Sequence, residues 1–225
     1  MDVQTPIRPA HGLAHVPPPK AAPRPREYAH VVFRTTQPEA MIDWYCAVLG
    51  MQVVMRTALI NFLTWDGSQD RLAIMAVPQF AIDAAPAQGG PPPGRNLSGL
   101  DHVAFTYDRL ADVVAVYRAV AERGIEPSWC INHGVATSMY FKDPDGNTIE
   151  LSVENFHDVD SLNAWLATGE FDANPIGVTL DPEDLARRVE AGEPEADMLR
   201  PHPGHAGGLD AELRRIGLSR AKLGM

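Results

Sequence analysis

An internal repeat is the feature that most constrains the fold of this chain. Two similar segments, 28–33 and 100–105, each place one histidine, His30 or His102, in a short run that alternates between polar and apolar residues. Such alternation indicates a strand with one buried face. Each segment is followed by a helical pattern and then by three further strand patterns, so both copies have the order β-α-β-β-β. The sequence therefore predicts two modules of the same design.

Turn and cap residues set the predicted boundaries of the elements. A helix over 38–49 begins with proline and is followed by Gly50, and a helix over 110–123 is followed by Gly124. The predicted strands are 28–34, 52–56, 60–65 and 71–77 in the first copy and 100–106, 127–131, 138–142 and 148–153 in the second. One such module leaves a sheet face exposed. Pairing two modules predicts an α+β fold in which a mixed sheet curves into a cupped, barrel-like shape.

Composition divides the chain into three parts. The proline-rich segment 1–27 has no continuous apolar run, so we expect neither a secretory signal nor a good transit peptide there. The segment is predicted to be a disordered arm. Residues 28–156 are predicted to form the paired domain, with modules 28–85 and 97–156 joined by a linker rich in glycine and proline. A C-terminal extension, 157–225, is predicted to be partly helical.

The extension has weaker patterns than the repeat. Short helices are predicted over 160–167 and 182–191, the second with Asp181 as its N-cap. Residues 193–208 are predicted to be loose, and a last amphipathic helix starts near Leu209. That helix covers either a sheet edge or a partner subunit, or it is a solvated tail.

Charge and cysteine content exclude some classes of function. A formal net charge of −10 argues against a nucleic-acid partner. No apolar stretch is long enough to span a membrane. The two cysteines, Cys46 and Cys130, form no CxxC motif and are expected to be buried thiols, which is typical of a reducing cytoplasm.

Three side chains form a candidate metal site. His30 and His102 occupy equivalent positions in the repeat, and alignment of the closing strands places Ala73 opposite Glu150. A lone histidine in a strand is more often a core residue, but two at equivalent positions with a glutamate nearby favour metal binding. Two imidazoles and one carboxylate are expected to hold a divalent metal on one face and leave the other face open.

Three longer motifs, at 99–105, 129–134 and 140–150, carry a resemblance to a known family. With them the chain resembles the vicinal oxygen chelate superfamily, and within it the one-domain extradiol ring-cleaving dioxygenases. The resemblance covers about residues 28–156, with a weaker similarity at 174–178. It implies the glyoxalase fold and an Fe(II) centre, with Mn(II) as a substitute, held by the three side chains named above.

The resemblance also implies roles for residues beside the ligands. His133 and Tyr140 are expected to orient a catechol and to stabilise its anion. The family usually carries a further histidine in the first module, but this chain has none between His30 and His102. Asp70 stands near that place and is expected either to carry protons instead or to be a surface turn residue.

A pocket for a flat aromatic ligand is expected in the cup. Its predicted lining residues have the types that any half-buried sheet contains, and they are Phe62, Trp65, Trp129, Asn132, Phe156 and Ile176.

The resemblance implies a dioxygenase that opens an aromatic diol beside its hydroxyl groups with O2, as in aromatic hydrocarbon catabolism. Two alternatives stay open. One is a redox-neutral metal enzyme, such as a thiol transferase or an isomerase, and the other is a module that binds an aromatic ligand without metal. We expect a cytoplasmic homo-oligomer.

Overall fold

The computed structural model describes residues 28–68, 70–78 and 100–200. The first copy of the repeat forms β1 (Val31–Thr35), α1 (Pro38–Leu49), β2 (Gln52–Arg56), β3 (Ile60–Thr64) and β4 (Leu72–Ala76). The second forms β5 (His102–Thr106), α2 (Leu110–Ala121), β6 (Trp129–Asn132), β7 (Ala136–Lys142) and β8 (Thr148–Glu154). The predicted order β-α-β-β-β is therefore confirmed in both copies.

Both modules have the same sheet topology. The first sheet has the strand order β1-β4-β3-β2, and the second has β5-β8-β7-β6 with a further strand, β9 (Val178–Thr179), beyond β6. The first strand of each module pairs in parallel with the last strand, and the other pairs are antiparallel. The paired-module α+β fold predicted from the repeat is confirmed.

The cup consists of two sheets, whereas the sequence predicted one continuous sheet. Among the strands of the described residues, no ladder joins the first sheet to the second. Within the part of the chain that the structure describes, β1 pairs with β4 alone and β5 pairs with β8 alone. Side-chain packing instead connects the modules.

Strand register confirms the equivalence that the sequence alignment suggested. Val32 of β1 lies opposite Ala73 of β4, and Ala104 of β5 lies opposite Glu150 of β8. Since Val32 and Ala104 each follow the repeated histidine by two positions, Ala73 and Glu150 occupy the same place in their modules. The repeat is therefore symmetric in backbone but not in chemistry at this place.

Helices α1 and α2 pack against the sheets and form one hydrophobic core. Helix α1 begins with Pro38 in its first turn and ends before Gly50, whose φ of 61° continues the chain in the left-handed region. The core contains Met41, Tyr45 and Val48 of α1, Val113 and Tyr117 of α2, and Phe141, Ile149 and Leu151 of the second sheet.

Two side chains of the first module bind the Asp143–Asn147 turn of the second, and one of them, Gln37, also donates to the carbonyl of Pro144. The buried Tyr45 hydroxyl donates to Oδ2 of Asp143 at 3.0 Å, and Nε2 of Gln37 donates to Oδ1 of Asp145 at 2.6 Å. The backbone N–H groups of Asp145 and Asn147 also donate to Asp143. Asp143 thus stabilises its own turn and the contact between modules.

The C-terminal extension covers the edge of the second sheet. It contains α3 (Val159–Leu166), α4 (Glu170–Ala173), β9, α5 (Pro182–Glu190) and α6 (Glu195–Leu199). Strand β9 pairs with β6, and Asp181 caps α5 by accepting from the N–H of Asp184, as predicted. Arg118 of α2 binds Glu183 and Glu190 of α5 at 2.8 and 2.7 Å.

One prediction for the extension is wrong. Residues 193–208 were expected to be loose, but α6 forms within them because Met198 and Leu199 bury their side chains in the core. Oε1 of Glu195 also accepts from the N–H of Ala111. The predicted arm, the linker and the last helix lie outside the described residues.

No helix within residues 28–68, 70–78 and 100–200 has the length and apolar character needed to cross a membrane.

Candidate metal centre

His102 and Glu150 meet on neighbouring parallel strands of the second sheet. Nε2 of His102 lies 2.9 Å from Oε2 of Glu150, and Oδ2 of Asp101 lies 2.7 Å from Nδ1 of the same ring. An imidazole with a carboxylate behind its second nitrogen is the usual arrangement of a metal-binding histidine, because the carboxylate fixes ring orientation and tautomer. The donor chemistry of this pair fits a divalent transition metal.

Glu150 is buried, with its side chain 9% exposed. Its neighbours Ile149 and Leu151 belong to the hydrophobic core, so the alternation of the strand turns the carboxylate to the opposite face of the sheet. Oγ of Ser138, from the adjacent strand, donates to Oε1 at 2.6 Å. One carboxylate oxygen is thus held by Ser138 while the other faces His102.

His30 makes a different contact. It lies just before β1, and its Nδ1 is 2.9 Å from Oδ2 of Asp70. This contact is an ion-pair approach and does not count as a hydrogen bond. Oδ2, which is shielded from solvent, therefore has no hydrogen-bond partner among the residues that the structure describes.

The three predicted ligands are thus not assembled as a set. Within the described part of the chain, no group of three or more His, Cys, Asp or Glu side chains has the arrangement of a metal site. The structure brings His102 together with Glu150 and brings His30 together with Asp70. His30 as the third ligand stays a prediction.

Tyr140 lies directly opposite Glu150 in the antiparallel pairing of β7 and β8. Its ring meets the ring of His102 edge to face, with centroids 5.5 Å apart. Burial, followed by the negative charge of Glu150, raises the pKa of Tyr140 well above its usual value. The phenol therefore keeps its proton and acts as a hydrogen-bond donor.

His133 is bonded on both ring nitrogens. Nδ1 contacts the carbonyl oxygen of Ile176, and Nε2 lies 2.9 Å from the hydroxyl oxygen of Tyr140. A carbonyl oxygen can only accept, so Nδ1 carries the proton. In the neutral ring Nε2 is then unprotonated and accepts from Tyr140, which makes it a nitrogen that can take up a proton.

The predicted pocket residues separate into two groups. Trp129 joins the site: its ring stacks on Tyr140 with centroids 5.3 Å apart and meets His133 edge to face at 5.7 Å. Ile176 joins through its carbonyl oxygen. Phe62 is half-buried on β3, opposite Ala73.

Three other predicted pocket residues make contacts within the protein. Trp65, which is half-exposed, packs edge to face on Phe105, and Phe156 packs on Trp165 of the extension. The side-chain amide of the buried Asn132 accepts from the N–H of Gly134 and donates to the carbonyl of Leu199. These contacts hold loops and modules together.

A cavity of about 700 Å³ lies between the two modules. Its walls include Trp65, Arg71, Phe105 and Tyr107. Neither His102 nor Glu150 lines it, so it is separate from the cluster of His102, Glu150, Tyr140 and His133. A smaller cavity of about 180 Å³ reaches Asp101 and His102.

Sequence reasoning missed three residues that support the site. Ser138 precedes Tyr140 by two positions in an alternating strand, so its place on the same face was available from the sequence. Asp101 is adjacent to His102. Asn174, which orders the turn that contacts His133, lies in the weakly similar segment 174–178, but its link to His133 depends on where the extension packs.

Comparison with known proteins places the chain in a family. The family model of the Glyoxalase/Bleomycin resistance protein/Dioxygenase superfamily matches residues 27–151, more than half of the chain. The chain belongs to this superfamily. The resemblance inferred from the three motifs is thereby confirmed.

Two relatives in this superfamily are similar over most of their length. Biphenyl-2,3-diol 1,2-dioxygenase 2 of Rhodococcus globerulus is 38% identical over 176 residues, which are 78% of this chain and 87% of that protein. Biphenyl-2,3-diol 1,2-dioxygenase 3 of the same organism is 37% identical over 172 residues, covering 76% and 85%. A solved glyoxalase/bleomycin resistance protein/dioxygenase from Nocardioides has a TM-score of 0.45, with 22% identity over 60% of this chain and 87% of that one.

Proposed function

We propose that this protein is an extradiol dioxygenase that opens the ring of a catechol-type compound with O2. The observation that carries the proposal is the contact chain from Glu150 through His102 and Tyr140 to His133. In this chain His102 and Glu150, two of the proposed metal ligands, lie near a phenol donor and an imidazole nitrogen that can accept a proton, which supports the proposal. The two similar dioxygenases act, by their names, on biphenyl-2,3-diol, so an aromatic 2,3-diol is the proposed substrate class.

Fe(II) is the proposed metal, with Mn(II) as a substitute, and His30, His102 and Glu150 are the proposed ligands. Such a metal would bring the diol and O2 together and allow electrons to pass between them. The open face left by three protein ligands suits two small partners. Ala73, which occupies the place equivalent to Glu150, offers no fourth ligand.

The chain's own residues supply the proton chemistry. His133 accepts a proton at Nε2 from a diol hydroxyl group, while its Nδ1–H stays bonded to the carbonyl of Ile176. Tyr140 donates a hydrogen bond toward the developing negative charge on the diol oxygen. Trp129 presents an aromatic surface beside both residues, which suits a flat ligand.

The domain division, the cytoplasmic location and the homo-oligomeric state also stay proposals. Cys46 and Cys130 form no disulfide, which accords with a reducing compartment. Burial raises the pKa of the Cys130 thiol to about 12, so this cysteine is inert.

Activity after metal loading tests the proposed function. The protein is reconstituted with Fe(II) without oxygen and mixed in air with 2,3-dihydroxybiphenyl or catechol, while oxygen uptake and the yellow ring-opened product are followed. We expect colour with the parent protein and none with Glu150→Ala. Glu154→Ala, an exposed glutamate on the same strand, is the matched control and keeps activity.

Stoichiometric Fe(II) binding without oxygen uptake would refute ring cleavage and favour a redox-neutral metal enzyme. Tight binding of an aromatic ligand that is unaffected by His102→Ala would instead favour a metal-free binding module.

A further inference from the structure

A turn in the C-terminal extension reaches the base of the site. This turn, called here the Asn174 turn, comprises residues 174–177 and connects α4 to β9. Asn174 is fully buried, and its side chain closes the turn. Its Oδ1 accepts from the N–H groups of Ile176 and Gly177 at 3.2 and 3.1 Å, and its Nδ2 donates to the carbonyl of Gly177 at 2.7 Å.

The Asn174 turn is pressed against the end of β6. A Cβ atom on Gly177 would lie 2.2 Å from the carbonyl oxygen of Asn132 and 2.6 Å from Cα of His133, and the φ of Gly177 is +108°. Only glycine fits both the approach and this backbone conformation. Directly after it, Val178 pairs with Asn132. The turn therefore has a fixed position relative to His133.

From this position the turn presents one acceptor to His133, the carbonyl oxygen of Ile176. The bond that one imidazole nitrogen makes decides which tautomer a neutral histidine adopts. We propose that Asn174 is a positioning residue for His133, because it holds the Ile176 carbonyl that fixes His133 with its proton on Nδ1 and with Nε2 unprotonated toward Tyr140. The role of His133 as a base rests on the proposed function, but the tautomer does not.

A positioning role and a merely structural role for Asn174 differ in what they predict for the tautomer of His133. If the turn only attached the extension to the sheet, breaking it would lower stability and leave the His133 ring in the same tautomer. If the turn sets the tautomer, breaking it releases Nδ1 and lets the proton move between the two nitrogens. The ¹⁵N resonances of the imidazole separate these cases, since protonated and unprotonated nitrogens resonate far apart.

The test uses the full-length, metal-free protein labelled with ¹⁵N-histidine at a pH where His133 is neutral, with His133→Asn to assign the signals. Asn174→Asp keeps the acceptor for the turn N–H groups but replaces the Nδ2 donor with an oxygen that repels the Gly177 carbonyl. Gly177→Ala displaces the same turn from β6 by its Cβ. Asn61→Asp is the matched control: it is a buried asparagine whose Oδ1 accepts from the N–H of Thr57 in the first module.

We expect the parent and Asn61→Asp to show the Nδ1–H tautomer alone, and Asn174→Asp and Gly177→Ala to show a mixture. In the Fe(II)-loaded protein, kcat/KM should fall roughly 10- to 100-fold in both turn variants, mainly through kcat. A parent spectrum with the proton on Nε2 would overturn the inference, whether or not the variants fold. So would a folded turn variant that keeps the parent tautomer.

The outcome is separable from that of the proposed function. A correct tautomer in a protein that binds Fe(II) but consumes no O2 would refute the dioxygenase proposal and leave the role of Asn174 intact.

Discussion

Removing the Ser138 hydroxyl group should weaken metal binding without rearranging the fold. Oγ of Ser138 lies 2.6 Å from Oε1 of Glu150, and both side chains are buried. In Ser138→Ala the carboxylate loses this donor in a place that water enters poorly. A hydrogen bond to a charged group contributes about 1.5–3 kcal/mol.

The same range follows from a second argument. Partners that orient a metal ligand typically change metal affinity or activity by roughly 10- to 100-fold when they are removed. A tenfold change corresponds to about 1.4 kcal/mol, so the two estimates agree. We therefore expect Ser138→Ala to raise the Kd for Fe(II) or Mn(II) by roughly 10- to 100-fold.

Anaerobic titration calorimetry measures this change, with circular dichroism as a check on folding. Ser152→Ala is the matched control, because Ser152 lies opposite Ser138 in the pairing of β7 and β8, is also buried, and contacts Thr106 and Phe105 at 3.5 Å. Its Kd should stay close to that of the parent. Equal Kd values for the parent and folded Ser138→Ala would refute the assignment of Glu150 as a metal ligand oriented by Ser138.

Two further predictions concern stability. Tyr45→Phe removes the hydrogen bond to Asp143 between the modules, so the free energy of unfolding should fall by about 1.5–3 kcal/mol. Urea denaturation measures this change, and an unchanged midpoint would contradict a stabilising role for the bond. Burial raises the pKa of both phenols, and the negative charge of Asp143 beside Tyr45 and of Glu150 beside Tyr140 raises it further. These groups therefore stay neutral in the folded state, while tyrosines in the unfolded chain ionise near pH 10. Their contribution to stability is present below about pH 10 and is lost as the pH rises above it. Denaturation midpoints measured from neutral to alkaline pH should therefore fall less steeply in Tyr45→Phe than in the parent, and parallel curves would be inconsistent with this linkage.

The repeat made most of the fold predictable. Alternating strands, a helix that starts with proline and stops at glycine, and turn residues between strands gave both modules, because these signals are local. The separation of the cup into two sheets was not predictable, since it depends on whether the edges of β1 and β5 meet. Helix α6 was also missed, because its Met198 and Leu199 pack into a core whose other residues lie far away in the sequence.

The candidate site shows the same division between local and distant information. His102, Glu150, Tyr140 and Trp129 could be placed near one another because they lie on neighbouring strands of one module. His133 could be named from its motif, but its tautomer depends on Ile176, which is far along the chain and reaches it only through the packing of the extension. The contact of His30 with Asp70 was likewise beyond the reach of sequence patterns.

Isotope labelling tests the central claim most directly. The Fe(II)-loaded protein is given 2,3-dihydroxybiphenyl under ¹⁸O2, and the product is analysed by mass spectrometry. An extradiol dioxygenase predicts a ring-opened product that contains both atoms of one O2 molecule. A product without ¹⁸O, or an unchanged diol in a protein with bound iron, would contradict the account.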